Sequence, residues 1–139
     1  MKSHTHACIA YIVGRLISGK NISAIYDYAS SQYIDIDSLP DAERLKEFDY
    51  LNWAHMSGSP DISRFKYSFT SGHFIDISIK GNTFIGYIHE SSSHFMGNVR
   101  GNSIFIYDHK KTAHFNFRIS GSALEDKGRL KNTKKMRSA

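Results

Sequence analysis

One pattern recurs five times along this 139-residue chain: an aromatic residue, a spacer, Tyr or His, four or five loop residues, then a second Tyr or His followed by an apolar residue. The copies are Tyr26-Asp27-Tyr28 with Tyr33-Ile34, Phe48-Asp49-Tyr50 with His55-Met56, and Phe65-Lys66-Tyr67 with His73-Phe74. Tyr87-Ile88-His89 with His94-Phe95 and Tyr107-Asp108-His109 with His114-Phe115 complete the set. The step between copies is 17 to 22 residues, which suits one β-hairpin plus its connection. Gly-centred turns separate several copies, at Ser18-Gly19-Lys20-Asn21, Lys80-Gly81-Asn82 and Arg100-Gly101-Asn102. The run from Arg100 to His109 also echoes the run from Ser18 to Tyr28, as a duplicated unit would.

The fold class this predicts is all-β, with about ten short antiparallel strands from five repeated hairpins, in a closed barrel or a two-sheet sandwich. Nine Phe, eight Tyr and only two Pro agree with strands. One short helix is expected near Pro40 to Glu47, where Ser38 can cap, Pro40 suits a first turn, and Asp41 and Glu43 complement the helix dipole. Phe48 to Met56 is read as a hairpin, with continuation of that helix the alternative. The apolar run Ala7 to Val13 reads as strand-like with Cys8 as a buried, inert thiol, and His4 and His6 belong to a frayed end.

Turn geometry turns this pattern into a register. A two-residue turn at Gly101-Asn102 sets Arg100 opposite Ser103, Asn98 opposite Phe105, Met96 opposite Tyr107 and His94 opposite His109. Four-residue loops are expected to set His89 opposite His94 and His109 opposite His114, giving a row of four imidazoles. Counting the Lys80-Gly81-Asn82 connection as three residues extends that row to Tyr67 and His73. Tyr87, Met96, Tyr107, Asn116, Ile85, Asn98, Phe105 and Arg118 share the histidine face. The opposite face collects Ile88, Phe95, Phe115, Ile106, Phe117, Phe84, Val99, Ile104 and Ile119 with Gly86 and Gly97, and is the core. Asp108 is the exception on that side; it and its counterparts Asp27 and Asp49 are read as loop anchors that accept backbone N–H groups.

Charge divides sharply along the chain. Residues 1–126 hold 12 basic and 13 acidic side chains, whereas Lys127, Arg129, Lys131, Lys134, Lys135 and Arg137 follow with no acid among them. Residues 1–122 are therefore read as the repeated-hairpin domain and 123–139 as a disordered basic tail. A single cysteine excludes an internal disulfide framework, and no stretch reaches the length of a membrane-spanning helix, so a cytoplasmic protein without membrane contact is expected.

Function is read from the aromatic and histidine face. Tyr67, His73, Tyr87, His89, His94, Met96, Phe105, Tyr107, His109 and His114 form a surface too apolar to stay solvated in a monomer, which points to a non-enzymatic binding or self-assembling module. A homo-oligomer is the default partner, with a protein or small ligand also possible. One alternative is single-stranded nucleic-acid binding through this face and the basic tail. Another is a metal site, catalytic or not, on His89, His94, His109 and His114, although Tyr stands at the same place in other copies. No nucleotide-binding loop, dinucleotide fingerprint or paired-carboxylate motif is present in the sequence, so nothing names a reaction, and no cofactor is expected.

Overall fold

The computed structural model describes residues 4–48 and 63–120. Within them lie helix α1 (His4–Ser18), strands β1 (Ala24–Asp27) and β2 (Gln32–Asp35), a 3-10 turn at Ile36–Ser38, and helix α2 over 42–48. Strands β3 (Ser63–Ser68), β4 (Phe74–Lys80), β5 (Thr83–Ile88), β6 (Ser93–Arg100), β7 (Ser103–Asp108) and β8 (Ala113–Ser120) follow. All eight strands belong to one antiparallel sheet, ordered β2-β1-β8-β7-β6-β5-β4-β3, and no barrel closes. Four of the five repeated copies are the hairpins β1–β2, β3–β4, β5–β6 and β7–β8. Of the remaining copy, Phe48 ends the described part of α2, and Asp49, Tyr50, His55 and Met56 lie outside the described residues, as does the basic tail. Among the described residues no helix is long and apolar enough to cross a membrane.

Hairpin loops are built alike. The four-residue loops after β1, β5 and β7 each end on a residue with positive φ: Ser31 at 58°, Ser92 at 55° and Thr112 at 46°. Asp27 and Asp108 anchor two of them as predicted, accepting from the N–H of Ala29, and from those of Lys110 and Lys111, respectively. Turns 81–82 and 101–102 have two residues each, closing the pairs Lys80–Thr83 and Arg100–Ser103 with glycine first. Gly81 and Gly101 take φ of 62° and 57°, the left-handed region that the first position of a II′ turn requires.

Two sequence expectations are corrected at the N-terminus. The run Ala7 to Val13 is helical, and every residue from Thr5 to Gly14 is buried. A short apolar run surrounded on all sides has neither the two-residue alternation of a strand nor one polar helix face, so period alone cannot distinguish them. The helix lies on the inner face of the sheet against β1, β6, β7 and β8. Ile36, Leu39 and Leu45 join the same core. At Gly14 an added Cβ would stand 2.9 Å from Ile104 Cδ1 and 3.2 Å from Ile22 Cδ1, so these terminal methyls occupy the space that a side chain there would take. The helix stops where the Gly19 N–H reaches back to the Arg15 carbonyl at 3.0 Å. His6 is not frayed: it is buried, for reasons given below.

The inner sheet face holds the apolar set read from the register, with Phe115 only partly buried, and adds Ile25 and the β4 isoleucines that the sequence reading did not assign. Ile25, Ile75, Ile77, Ile79, Phe84, Ile88, Phe95, Val99, Ile104, Ile106, Phe117 and Ile119 are all buried, each contributing on the order of 1.5–3 kcal/mol of burial free energy. Tyr67 also belongs to this face, which corrects its place in the histidine row. Because 81–82 is a two-residue turn, Ile79 and Phe84 pair on the inner face, and parity carries Tyr67, opposite Ile75, inward with them.

Candidate functional site

The outer face can be read as rows running across the strands, since directly paired residues point the same way. Arg100, Ser103, Arg118, Tyr26 and Tyr33 make one row from β6 to β2. Lys80, Thr83, Asn98, Phe105 and Asn116 make the next, from β4 to β8. Arg64, Ser78, Ile85, Met96, Tyr107 and His114 make the third, and Lys66, Asp76, Tyr87 and His94 the fourth. His109 continues that fourth row, its N–H bonded to the His94 carbonyl at 2.9 Å.

This register corrects one feature of the predicted imidazole row. Tyr87, not His89, stands opposite His94, and Tyr107, not His109, stands opposite His114. The strands end one residue sooner than expected, and the first loop residue takes the histidine. The offset is two positions, so the face is preserved while the partner changes. Three of the four hairpins, β1–β2, β5–β6 and β7–β8, thereby build the same three-ring cluster around a central tyrosine. Tyr26 meets Tyr28 and Tyr33, Tyr87 meets His89 and His94, and Tyr107 meets His109 and His114, with ring centroids 4.7 to 5.1 Å apart. Tyr87 thus separates His89 from His94 and Tyr107 separates His109 from His114, while His94 and His109 remain cross-strand neighbours. Among the described residues no three or more His, Cys, Asp or Glu side chains are grouped to hold a metal ion, and the four-histidine metal site is not formed.

At the β4 side the cluster continues through Phe74, which stacks on His89 at 4.3 Å with the planes 5° apart, and Lys66 Nζ lies 4.6 Å above the Phe74 ring. His89 Nε2 meets Asp76 Oδ2 at 2.7 Å. His73 departs from the predicted row: it sits in the β3–β4 loop, 3.8 Å from Glu90.

Three large apolar side chains remain open on this face: Ile85, Met96 and Phe105 are 59, 46 and 40 per cent exposed. They lie on neighbouring strands β5, β6 and β7. A hollow of about 370 Å³ borders Ile85 and Met96, with Asp76, Tyr87, His94 and His109 among its walls. Beside Phe105, the side-chain Oδ1 atoms of Asn98 and Asn116 are enclosed without a hydrogen-bond donor. Lys66, Arg64, Lys80, Arg100 and Arg118 point outward from the sheet, against two acids, Asp35 and Asp76, and Asp76 is already held by His89. Asp37, Asp41, Glu43 and Glu47 all lie in the segment around α2, on the side of the inner face. That segment also carries Arg44 and Lys46, the latter paired with Asp37, so its net acidity is modest, while the outer face of the sheet is net basic.

Two buried polar groups occupy the opposite side. His6 Nε2 bonds Asp108 Oδ2 at 2.9 Å, and its ring stacks on Phe115 at 3.8 Å. Burial lowers the His6 pKa below its ordinary 6.5, outweighing the pull of Asp108, so the imidazole is neutral and donates. Burial alone would raise the Asp108 carboxyl; the His6 bond and the N–H groups of Lys110 and Lys111 outweigh it and hold the group below 3.8. The second group is Asp41, which accepts from the Tyr67 hydroxyl at 2.7 Å and from the Thr70 hydroxyl at 2.9 Å. Cys8 faces a 390 Å³ cavity beside it. Burial, reinforced by Asp41, pushes that thiol up to about 12, so it carries no nucleophilic thiolate at neutral pH.

Sequence reasoning placed Asn98, Phe105, Asn116 and Arg118 on this face and set Arg100 in the same register, yet it overlooked Arg64, Lys66 and Lys80. The parity rule assigns them there as soon as the turns are counted correctly. It also passed over the His6–Asp108 pair, although a carboxylate on an otherwise apolar face demands a buried donor. No protein-family model, curated protein or solved structure is found to match this chain.

Proposed function

We propose that this protein is a non-enzymatic binding or self-assembling module that works through the outer face of its sheet. The observation that carries this reading is the contiguous exposure of Ile85, Met96 and Phe105, framed by half-buried Tyr87 and Tyr107 and by exposed histidine rings. A monomeric surface gains nothing from such a patch, and interface centres are enriched in these residue types. The buried titratable groups support a non-catalytic reading. Asp41 and Asp108 are committed to hydrogen bonds, and the one thiol is held in its protonated form. A reducing, cytoplasmic setting suits a chain whose sole cysteine is free and buried.

The test asks whether these side chains serve the fold or a partner. In the variant Ile85→Thr, Met96→Thr, Phe105→Thr, the thermal midpoint is expected to stay near that of the parent protein or to rise. Surface groups held for binding contribute little packing. A collapse of the midpoint comparable to that caused by a core truncation such as Ile106→Ala would assign the patch to folding and remove this proposal.

A further inference from the structure

We infer that the outer face takes single-stranded nucleic acid, with a base laid on Phe105 between Asn98 and Asn116 and backbone phosphates on Arg100 and Arg118. This rests on the binding role proposed for the face, and adds the class of ligand.

Charge decides against the most obvious rival. A second copy docked face to face sets the five outward basic side chains against their own kind, with only Asp35 and Asp76 to answer them. A polyanion meets complementary charge instead. An anion without flat rings leaves Phe105, Met96 and Ile85 uncovered, and an uncharged aromatic ligand leaves the arginines unused. A nucleotide chain supplies both parts.

The spacing of the rows agrees with that ligand. Asn98 and Arg100 are two residues apart on β6, as Asn116 and Arg118 are on β8, so each amide lies about 7 Å from the arginine on its own strand. β7 runs between them and presents Phe105 in the amide row and Ser103 in the arginine row. Both Asn side chains hold an Oδ1 without a donor, hydrogen-bonding capacity that the isolated sheet leaves unused. Rotation about the last torsion presents either amide to a base edge. The ring lies on the floor of a sheet, so a base reaches it only when unpaired, which selects single strands over duplex.

The experiment is fluorescence anisotropy of labelled oligothymidylate and oligouridylate with the full chain, its C-terminal segment included, over a range of salt. Binding is expected, with affinity falling as salt rises. Phe105→Ala should weaken it roughly 5- to 150-fold, the worth of one stacked base. Arg100→Ala with Arg118→Ala should flatten the log–log salt slope by about 1.4, at about 0.7 per phosphate of a single strand. Arg44→Ala, on α2, should change neither. Absence of binding overturns the inference, and so does binding that Phe105→Ala leaves untouched, because the basic C-terminal segment then carries the contact. If oligonucleotides fail while sedimentation shows a dimer that Phe105→Ala dissociates, a second copy is the occupant. The ligand assignment then falls and the binding role of the face stands. Loss of that role itself is read separately, from the thermal midpoint of the Ile85, Met96 and Phe105 variant.

Discussion

His6 and Asp108 join the first turn of α1 to the end of β7, and both are cut off from solvent. Their shifted proton affinities act on stability in the same direction. A histidine whose folded pKa lies below 6.5 binds protons more readily unfolded, so stability is retained above that value and declines as the pH falls beneath it. Asp108, held below 3.8, adds stability that is present above that value and is lost as the pH drops through its folded pKa. Urea unfolding at stepped pH should show a decline beginning near 6.5 and a further loss below 3.8. His6→Gln, which keeps a donor without titrating, should flatten the first of these. Asp108→Ala removes the acceptor for His6 and for two loop N–H groups, and should cost on the order of 3–5 kcal/mol, as breaking a buried pair does. A cost under about 1 kcal/mol would mean that the pair contributes only what an exposed ion pair does.

At the level of elements, glycine placement in β6 and its neighbouring turn separates two kinds of constraint. An added Cβ at Gly97 would come 1.8 Å from the Phe105 carbonyl oxygen and 2.7 Å from Phe84 Cζ, so the close approach of two backbones depends on hydrogen there. At Gly101 a Cβ meets nothing within 4 Å, and only its φ of 57° resists substitution. Gly97→Ala is therefore expected to reach or exceed the top of the roughly 1–3 kcal/mol typical of overpacking. Gly101→Ala should cost only about 1–2 kcal/mol. Equal costs in parallel denaturant titrations would contradict the steric argument. The hairpins themselves were legible because two-residue alternation and loop length are written in the residues: the pairs from Arg100–Ser103 to Met96–Tyr107 stand as read. Tyr67 was misplaced by a single miscounted turn, since one residue reverses every side chain beyond it. α1 was illegible for a different reason. Its burial depends on the sheet that wraps it, and a run with no solvent-facing side carries no period to announce a helix.

For the whole molecule, α1 is the filling and the sheet its envelope. Residues 7–14 hold no charge and are almost wholly enclosed, so their partners cannot bury their own inner faces without them. A chain beginning after Ser18 should lose its fixed tertiary packing, seen as loss of near-ultraviolet dichroism and strong binding of a hydrophobic dye. Retention of a cooperative thermal transition would show that the sheet stands alone. The basic character of the outer face also emerges only at this scale: Arg64, Lys66, Lys80, Arg100 and Arg118 are scattered from β3 to β8 and are gathered on one side by the strand register. The pairing of β1 with β8 brings Ala24 beside Ser120, the opposite ends of the sheet-forming sequence. During synthesis, then, α1 and β1 emerge well before β8, and the helix must wait for that strand before its shelter is complete. The β1–β2 hairpin cannot find its neighbour until β8 has been made, so a greasy helix stays exposed in the interval.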